Sequence, residues 1–453
     1  MAKSPLYIYN ATHNKSLDAS GGSVFRNLLG AAKGALIRAA ASTQPFGCYV
    51  KFLGESRMAK LLIVLLSLLV CADAAITKES KISFWNKQHR GANYHNDVPT
   101  RDWWVAAKEA GITVVRLFPN NWQKQQRDFL LGNADNYEKL NEQDFQKLKE
   151  VLDQAQSVGI KVLITTVSLP GSRWSQQNDD KDDVRLWRDA HYHDQAASFW
   201  KDLAFRLKDH PAVVGYNILN EPHPERSKVL PFDDFWWDDL PTWYAKVINT
   251  PADLNLFYAK VVAAIRQVDK DTPIILDSGL YATPWAFKYL RPMRDDKILY
   301  SFHMAEPYVY TTPFINKGRF TYPGIVVIGE GKDRIEKYWD AKELDKFLQP
   351  IVDWQKQYNI PSSRIFVGEF GCGRTVTGAA VYLGDLINIF NKNHWHWAFY
   401  KFRADSTWTE RDYEYGTKPP GGPYWQAVAR GEKPQLPRVD NPLWDVLKKG
   451  LKQ

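Results

Sequence analysis

The chain has 453 residues, 44% of them hydrophobic and 24% charged, which suits a large folded core and excludes disordered and fibrous classes. Its net charge of +8 is unevenly spread: eight of the 59 Lys/Arg and three of the 51 Asp/Glu fall in residues 1–75, leaving 51 against 48 beyond. No basic stripe remains there, so nucleic acid is not an expected partner. The three cysteines, Cys48, Cys71 and Cys372, allow no disulfide framework and match no Cys/His zinc spacing, so no metal or cofactor is expected.

Residues 58–75 read as a secretory signal peptide: Lys60 gives the positive start, a short leucine-rich core follows, and Ala72-Asp73-Ala74 has the form of a cleavage site. That core is shorter than the roughly 20 residues a spanning helix needs, so no stable membrane span is expected. A signal starting at Met58 makes residues 1–57 an upstream extension outside the mature protein. The expected organisation is therefore extension 1–57, signal 58–75 and one domain over 76–453, secreted or periplasmic.

From residue 80 apolar strands alternate with amphipathic helices. A strand is expected near 88–94, a helix over 101–110 stopped by Gly111, and a strand over 113–118. Phe145, Leu148, Val151, Leu152 and Ala155 recur at helical spacing up to Gly159. A strand over 161–167 and a helix over 195–208 follow. The run from Val213 to Leu219 reads as a buried strand halted at Asn220-Glu221-Pro222, since proline cannot continue a central strand. An acid at that point is costly unless it is partnered or at work; the plain alternative is a carboxylate capping the next helix. Later strands are expected over 273–278 and 298–303, around Glu369, and over 395–402, with helices over 341–358 and 381–390. Eight strand–helix units predict an α/β chain folded as a single (β/α)8 TIM barrel. Segments 228–246, 311–338 and 404–439 are long for barrel loops and read either as cleft walls or as plain surface insertions.

Val367-Gly368-Glu369-Phe370-Gly371 repeats the grammar of the Glu221 stretch, an apolar strand tipped by an acid. Paired carboxylates at the carboxyl ends of barrel strands are what glycoside hydrolysis needs. With Leu219-Asn220-Glu221-Pro222 and the strand Val115-Arg116-Leu117, the chain resembles glycoside hydrolase family 5, the cellulase family, over roughly residues 84–402. The resemblance implies a retaining β-glycosidase of endoglucanase type acting on a β-glucan or related polysaccharide. It makes Glu221 the acid/base and Glu369 the nucleophile. It also places Arg116 beneath the nucleophile and Asn220 on the sugar 2-hydroxyl, with His303 after the sixth strand. Simple structural roles, a barrel salt bridge for Arg116 and a core imidazole for His303, stand as alternatives. The 18 tryptophans suit a saccharide cleft, and Trp397 and Tyr400 are the expected stacking platform. The family pattern His-x-Tyr is here His303-Met304-Ala305, so Tyr308 or Tyr310 is the candidate replacement for the tyrosine on the nucleophile. An exo-acting glucosidase or glycolipid hydrolase, or a weakened saccharide-binding barrel, are the rival readings. The expected partner is an oligo- or polysaccharide, and the expected state a monomer.

Overall fold

The β-branched and apolar runs become strands β1 (Arg90–Tyr94), β2 (Val114–Leu117), β3 (Lys161–Thr165), β4 (Val213–Asn217), β5 (Ile274–Asp277), β6 (Ile298–Met304), β7 (Gly324–Ile328), β8 (Ile335–Trp339), β9 (Ile365–Phe370) and β10 (His396–Phe399). All but β7 and β8 close a parallel barrel in the order β1-β10-β9-β6-β5-β4-β3-β2, the (β/α)8 architecture expected. This computed structural model describes residues 80–453 apart from 96, 123–127, 174–177, 180, 228–239, 329–333, 404–408, 433 and 435. The expected extension and signal peptide lie outside the described residues. Among the described residues no helix is long and apolar enough to cross a membrane.

Strand alternation sorts the barrel interior into two layers. Val114, Leu163, Val214, Ile275, Leu299, Phe366 and Ala398 form an apolar layer with Trp85. Two residues further along the same strands stand Arg116, Thr165, Asp277, Ser301 and Gly368, so the interior turns polar toward the carboxyl ends. Trp85 follows the short helix Lys81–Phe84, is fully buried, and donates its indole N–H to the Val214 carbonyl at 2.9 Å. It meets Phe366 and His396 edge-on at 5.8 and 4.9 Å, filling the amino-terminal end of the barrel.

Three expectations need correction, and one helix is additional to them. The strand expected to run to Leu219 pairs only as far as Asn217, and Glu221 sits beyond it in a left-handed conformation, φ 48°. The helix expected over 341–358 is two, Ala341–Phe347 and Gln349–Tyr358. Pro350 lacks the N–H a continuous helix would use there and fits the first turn of the second. Segment 311–338 is no plain loop: short helices Tyr308–Thr311 and Pro313–Asn316 lead into the antiparallel hairpin of β7 and β8. That hairpin buries little of either strand, so hydrophobic alternation could not announce it. Finally, helix Pro442–Lys452 was not anticipated. Asn441 caps it by accepting the Leu443 and Trp444 N–H groups, and Leu443, Leu447 and Leu451 are buried. Trp444 stacks on Phe402 at 5.6 Å, which brings the helix against the seam between β1 and β10.

Replacing Trp85 with alanine should therefore cost about 3–5 kcal/mol of stability, the range for a fully buried tryptophan. Guanidinium unfolding reads this directly, and a loss below about 1 kcal/mol would show that the barrel end does not depend on the indole.

Candidate active site

Arg116 is where the polar layer converges. Its side chain has no exposed surface, and it is held from several sides. Nε donates to Asn217 Oδ1 at 2.8 Å, and Nη1 to Asn93 Oδ1 at 3.2 Å and Glu369 Oε1 at 2.7 Å. Nη2 donates to Asn220 Oδ1 at 2.8 Å and to Asp277 Oδ2 at 3.2 Å. These partners come from β1, β4, β5 and β9 and the turn after β4, so the guanidinium fork is fixed in orientation. Asn217 is fixed in turn: its oxygen also accepts from Thr165 at 2.9 Å, and its amide donates to Asp277 Oδ1 at 3.0 Å. Asn93 donates to the Gly368 carbonyl at 2.9 Å, one residue before Glu369.

The two glutamates face each other across this network. Glu221, His303 and Glu369 each offer a ligand-type atom, and these atoms lie within 4.8 Å of one another. His303 Nδ1 is 2.7 Å from Glu221 Oε1 and 4.0 Å from Glu369 Oε1. The same trio is the one grouping of metal-ligand type among the described residues. Arg116 already supplies positive charge at that point. The left-handed backbone of Glu221 is secured by its N–H on Asp277 Oδ2 at 3.3 Å and by its carbonyl, which accepts His223 Nδ1–H at 2.9 Å.

The environments of the two acids differ. Burial pushes the Glu221 carboxyl up to about 8; Asp277 adds to the rise, while Arg116 and Arg411 oppose it. Burial also raises Glu369, against the pull of Arg116. Glu369 alone is in direct contact with a cation, so Glu221 is the member that keeps its proton. Burial lowers His303, leaving a neutral imidazole between them.

A second clasp holds the loop that follows Glu221. Leu280, Tyr281 and Ala282 are left-handed at φ 49°, 61° and 60°, a conformation costing non-glycine residues about 1–2 kcal/mol each. Buried Glu225 accepts the Leu280 N–H at 3.1 Å and the Tyr244 hydroxyl, and Tyr281 donates its N–H to the Pro222 carbonyl at 3.1 Å. The Tyr281 ring stacks on His223 at 4.6 Å.

Of the expected site residues, Glu221, Glu369, Arg116, Asn220 and His303 are brought together. Asn220 gives its oxygen to Arg116, which turns its amide N–H2 away from that contact. Tyr400 follows β10, its hydroxyl against His95 Nε2. Tyr308 opens its short helix, donating its N–H to Glu306 at 2.7 Å, and lies within the field of Arg411. Tyr310 is spent elsewhere: it is buried and donates to the Thr377 carbonyl at 3.0 Å. Trp397 is also out of place as a platform. It is 0% exposed, meets Phe370 edge-on at 5.6 Å, and donates to Asn391 of the outer helix Ala379–Lys392 at 3.2 Å. Alternation puts Ala398 inside the barrel and hence Trp397 on the helix side. Asn93, His95, Asn217, Asp277 and Arg411 were not anticipated; only the inward register of polar residues at strand ends could have pointed to the first, third and fourth.

A closed parallel barrel with a carboxylate pair at its carboxyl-terminal mouth defines the class: a TIM-barrel protein with its site where such barrels carry chemistry. The family model Cellulase (glycosyl hydrolase family 5) matches residues 76–406, and the chain belongs to that family. It is 21% identical over 309 residues to a β-xylosidase of Phanerodontia chrysosporium, covering 65% of this chain and 54% of that protein. The chain thus spans about half the length of that relative. It is 23% identical over 282 residues to endoglucanase C of Acetivibrio thermocellus, covering 58% of this chain and 71% of the other. The crystal structure of an endoglucanase from the hyperthermophile Thermotoga maritima shares the fold, with a TM-score of 0.55, 19% identity, and coverage of 81% of this chain and 99% of that one.

Replacing Arg116 with glutamine leaves Asp277 and Glu369 without their buried cation, and breaking such a pair costs about 3–5 kcal/mol. Urea unfolding at pH 7 should show that loss. The loss should shrink at pH 5, because without the cation Glu369 takes up a proton more readily in the folded than in the unfolded chain. A difference that ignores pH would mean that charge is not its cause.

Proposed function

We propose that this chain is a secreted, retaining β-glycosidase that cleaves a β-glucan or related β-linked polysaccharide in the manner of an endoglucanase. What carries the reading is the separation of the acids: carboxylate oxygens within 4.8 Å fit the roughly 5–5.5 Å of retaining enzymes and not the 6.5–9.5 Å that leaves room for an inverting water. Membership of family 5 and the printed names of the relatives, endoglucanase and β-xylosidase, support a β-linked sugar substrate. Export rests on the sequence of residues 58–75.

In the first step a Glu369 oxygen attacks the anomeric carbon as the bond to the leaving oxygen breaks, and Glu221 passes its proton to that oxygen. Arg116 keeps Glu369 ionised for the attack. Once Glu369 is esterified its negative charge is gone, so the pKa of Glu221 falls and Glu221 can take a proton from the incoming water. Water then displaces Glu369, with net retention. In this reading the Asn220 amide donates to the sugar 2-hydroxyl, Tyr400 forms the platform beneath the ring, and His303 aligns Glu221. Tyr308 borders the cleft. A weakened binding barrel is the one rival with its own observation, since Ala305 supplies no hydroxyl and Tyr310 is engaged elsewhere.

Glu369→Gln should remove essentially all turnover of aryl β-glycosides. Glu221→Ala should lose about 10²–10⁴-fold on poor leaving groups and much less on activated ones; equal losses on both would argue against Glu221 as the acid. A wild type that binds oligosaccharide but turns over no β-glycoside would favour the binding barrel. The pH profile is a separate check. The acid must start protonated, so kcat/KM should fall as pH rises through about 8. A profile flat to pH 10 would remove Glu221 from that role.

A further inference from the structure

The backbone around Glu221 is held by one stretch of chain, the end of β5 and the turn after it. Asp277, the last residue of β5, accepts the Glu221 N–H at 3.3 Å, and Tyr281 gives its N–H to the carbonyl of the adjacent Pro222 at 3.1 Å. The Tyr281 ring lies on the His223 imidazole at 4.6 Å and 15°, and His223 Nδ1–H in turn holds the Glu221 carbonyl at 2.9 Å. Leu280, Tyr281 and Ala282 are all left-handed, a backbone that persists only where its neighbours over-determine it. The acid therefore rests on an element that is itself strained.

Glu225 supplies the restraint. It stands in the short turn Pro224–Arg226, 1% exposed, and its two oxygens are divided between two elements. Oε2 accepts the N–H of Leu280, the first residue of the left-handed run, at 3.1 Å. Oε1 accepts the hydroxyl of Tyr244 from helix Leu240–Val247, and the Tyr244 ring stacks on Tyr289 at 3.9 Å. The residue's own N–H also acts on the carboxylate. A Cβ on Gly279 would collide with both the Tyr244 hydroxyl and Glu225 Oε1, so the absence of a side chain there lets the carboxylate in. Burying a carboxylate is costly, and an apolar side chain would fill the same volume without joining two elements. The nucleophile is held separately: Glu369 stands on β9 and accepts from Arg116 at 2.7 Å. Loosening the 280–282 turn thus reaches Glu221 and leaves Glu369 in place.

We propose that Glu225 is a positioning residue for the proton-transfer step: its carboxylate fixes the left-handed turn 280–282, and that turn sets the direction in which Glu221 presents its carboxyl. The inference rests on the glycosidase reading of the site and adds to it a residue that touches no substrate. Without Glu225 the Leu280 N–H is left buried and unpaired, the turn relaxes toward ordinary backbone, and the contacts to Pro222 and His223 go with it. Attack by Glu369 continues, while delivery of the proton to the leaving oxygen is impaired. The loss falls on leaving groups that need that proton.

The test compares kcat/KM, which reports the first step, on two aryl β-cellobiosides: the 2,4-dinitrophenyl compound, whose phenol departs without a proton, and the phenyl compound, whose phenol needs one. Glu225→Ala should lose at least about tenfold on the phenyl cellobioside and less than about threefold on the dinitrophenyl one. Glu225→Gln keeps an oxygen for the Leu280 N–H and an N–H2 for the Tyr244 oxygen, and should recover most of the loss. A purely structural role would lower both substrates by one factor, through the fraction of folded enzyme. Should Glu225→Ala fail to fold, Tyr244→Phe removes a single hydroxyl of the clasp and carries the same comparison, with a loss of at least about twofold confined to the phenyl substrate. Equal losses on the two substrates, no loss on either, or a Glu225→Gln no better than Glu225→Ala would overturn the assignment and leave the glycosidase reading standing. A wild type that cleaves neither cellobioside ends both readings.

Discussion

The site depends on a single buried cation. Arg116 stands inside a closed barrel, out of contact with water, where an unpaired charge would be prohibitively expensive. Its cost is offset because the interior changes from apolar to polar just at its level, with Asn93, Asn217 and Asp277 supplying oxygens from three different strands. None of these groups is spare. Asp277 alone meets Arg116, Asn217 and the Glu221 N–H, so the charge beneath one glutamate and the backbone beneath the other share an atom group. The geometry of the acid pair is a property of the barrel interior more than of the loops above it.

From this centre the asymmetry of the two acids follows. Both are buried, and burial alone would raise both. Contact with the guanidinium distinguishes Glu369, while Glu221 has a neutral imidazole as its neighbour. The left-handed backbone at Glu221 sets the direction of approach, and it is held by hydrogen bonds at both its N–H and its carbonyl. Glu225 extends the arrangement outward by binding the left-handed turn after β5 to the loop after β4. Local strain is thus tolerated where neighbouring strands over-determine it.

Much of this was legible in the chain, and the failures have physical reasons. The barrel strands announce themselves as apolar runs; Glu221 stands out because an acid follows one run just before Pro222, and Glu369 because an acid falls near the tip of another, two residues before Gly371. Arg116 needed the family resemblance, since an arginine in a strand reads equally well as an outward salt bridge. Asp277 and Asn217 look like ordinary strand-end polar residues until the barrel closes and sets β5 and β4 beside Arg116. Trp397 was misplaced because alternation tells which residues share a face but not which face points inward. Arg411 lies in an aperiodic loop where no pattern marks it. Helix Pro442–Lys452 is a different case. Its cap at Asn441 and its leucines at helical spacing were readable and overlooked.

The ring of strands also has an order of assembly written into it. Strand β1 pairs on one side with β2, made shortly after it, but on the other with β10, which lies almost at the far end of the barrel sequence. Until β10 emerges, β1 presents a bare edge of unpaired amide and carbonyl groups, the kind that recruits other chains. The aromatic residues of β10 then dock outward onto helices that lie later or nearby in the chain, with Trp444 of the 442–452 helix against Phe399 and Phe402. That helix acts as a latch over the closing joint. A growing polypeptide of this design stays vulnerable to sticking to its neighbours until the 442–452 helix has left the ribosome.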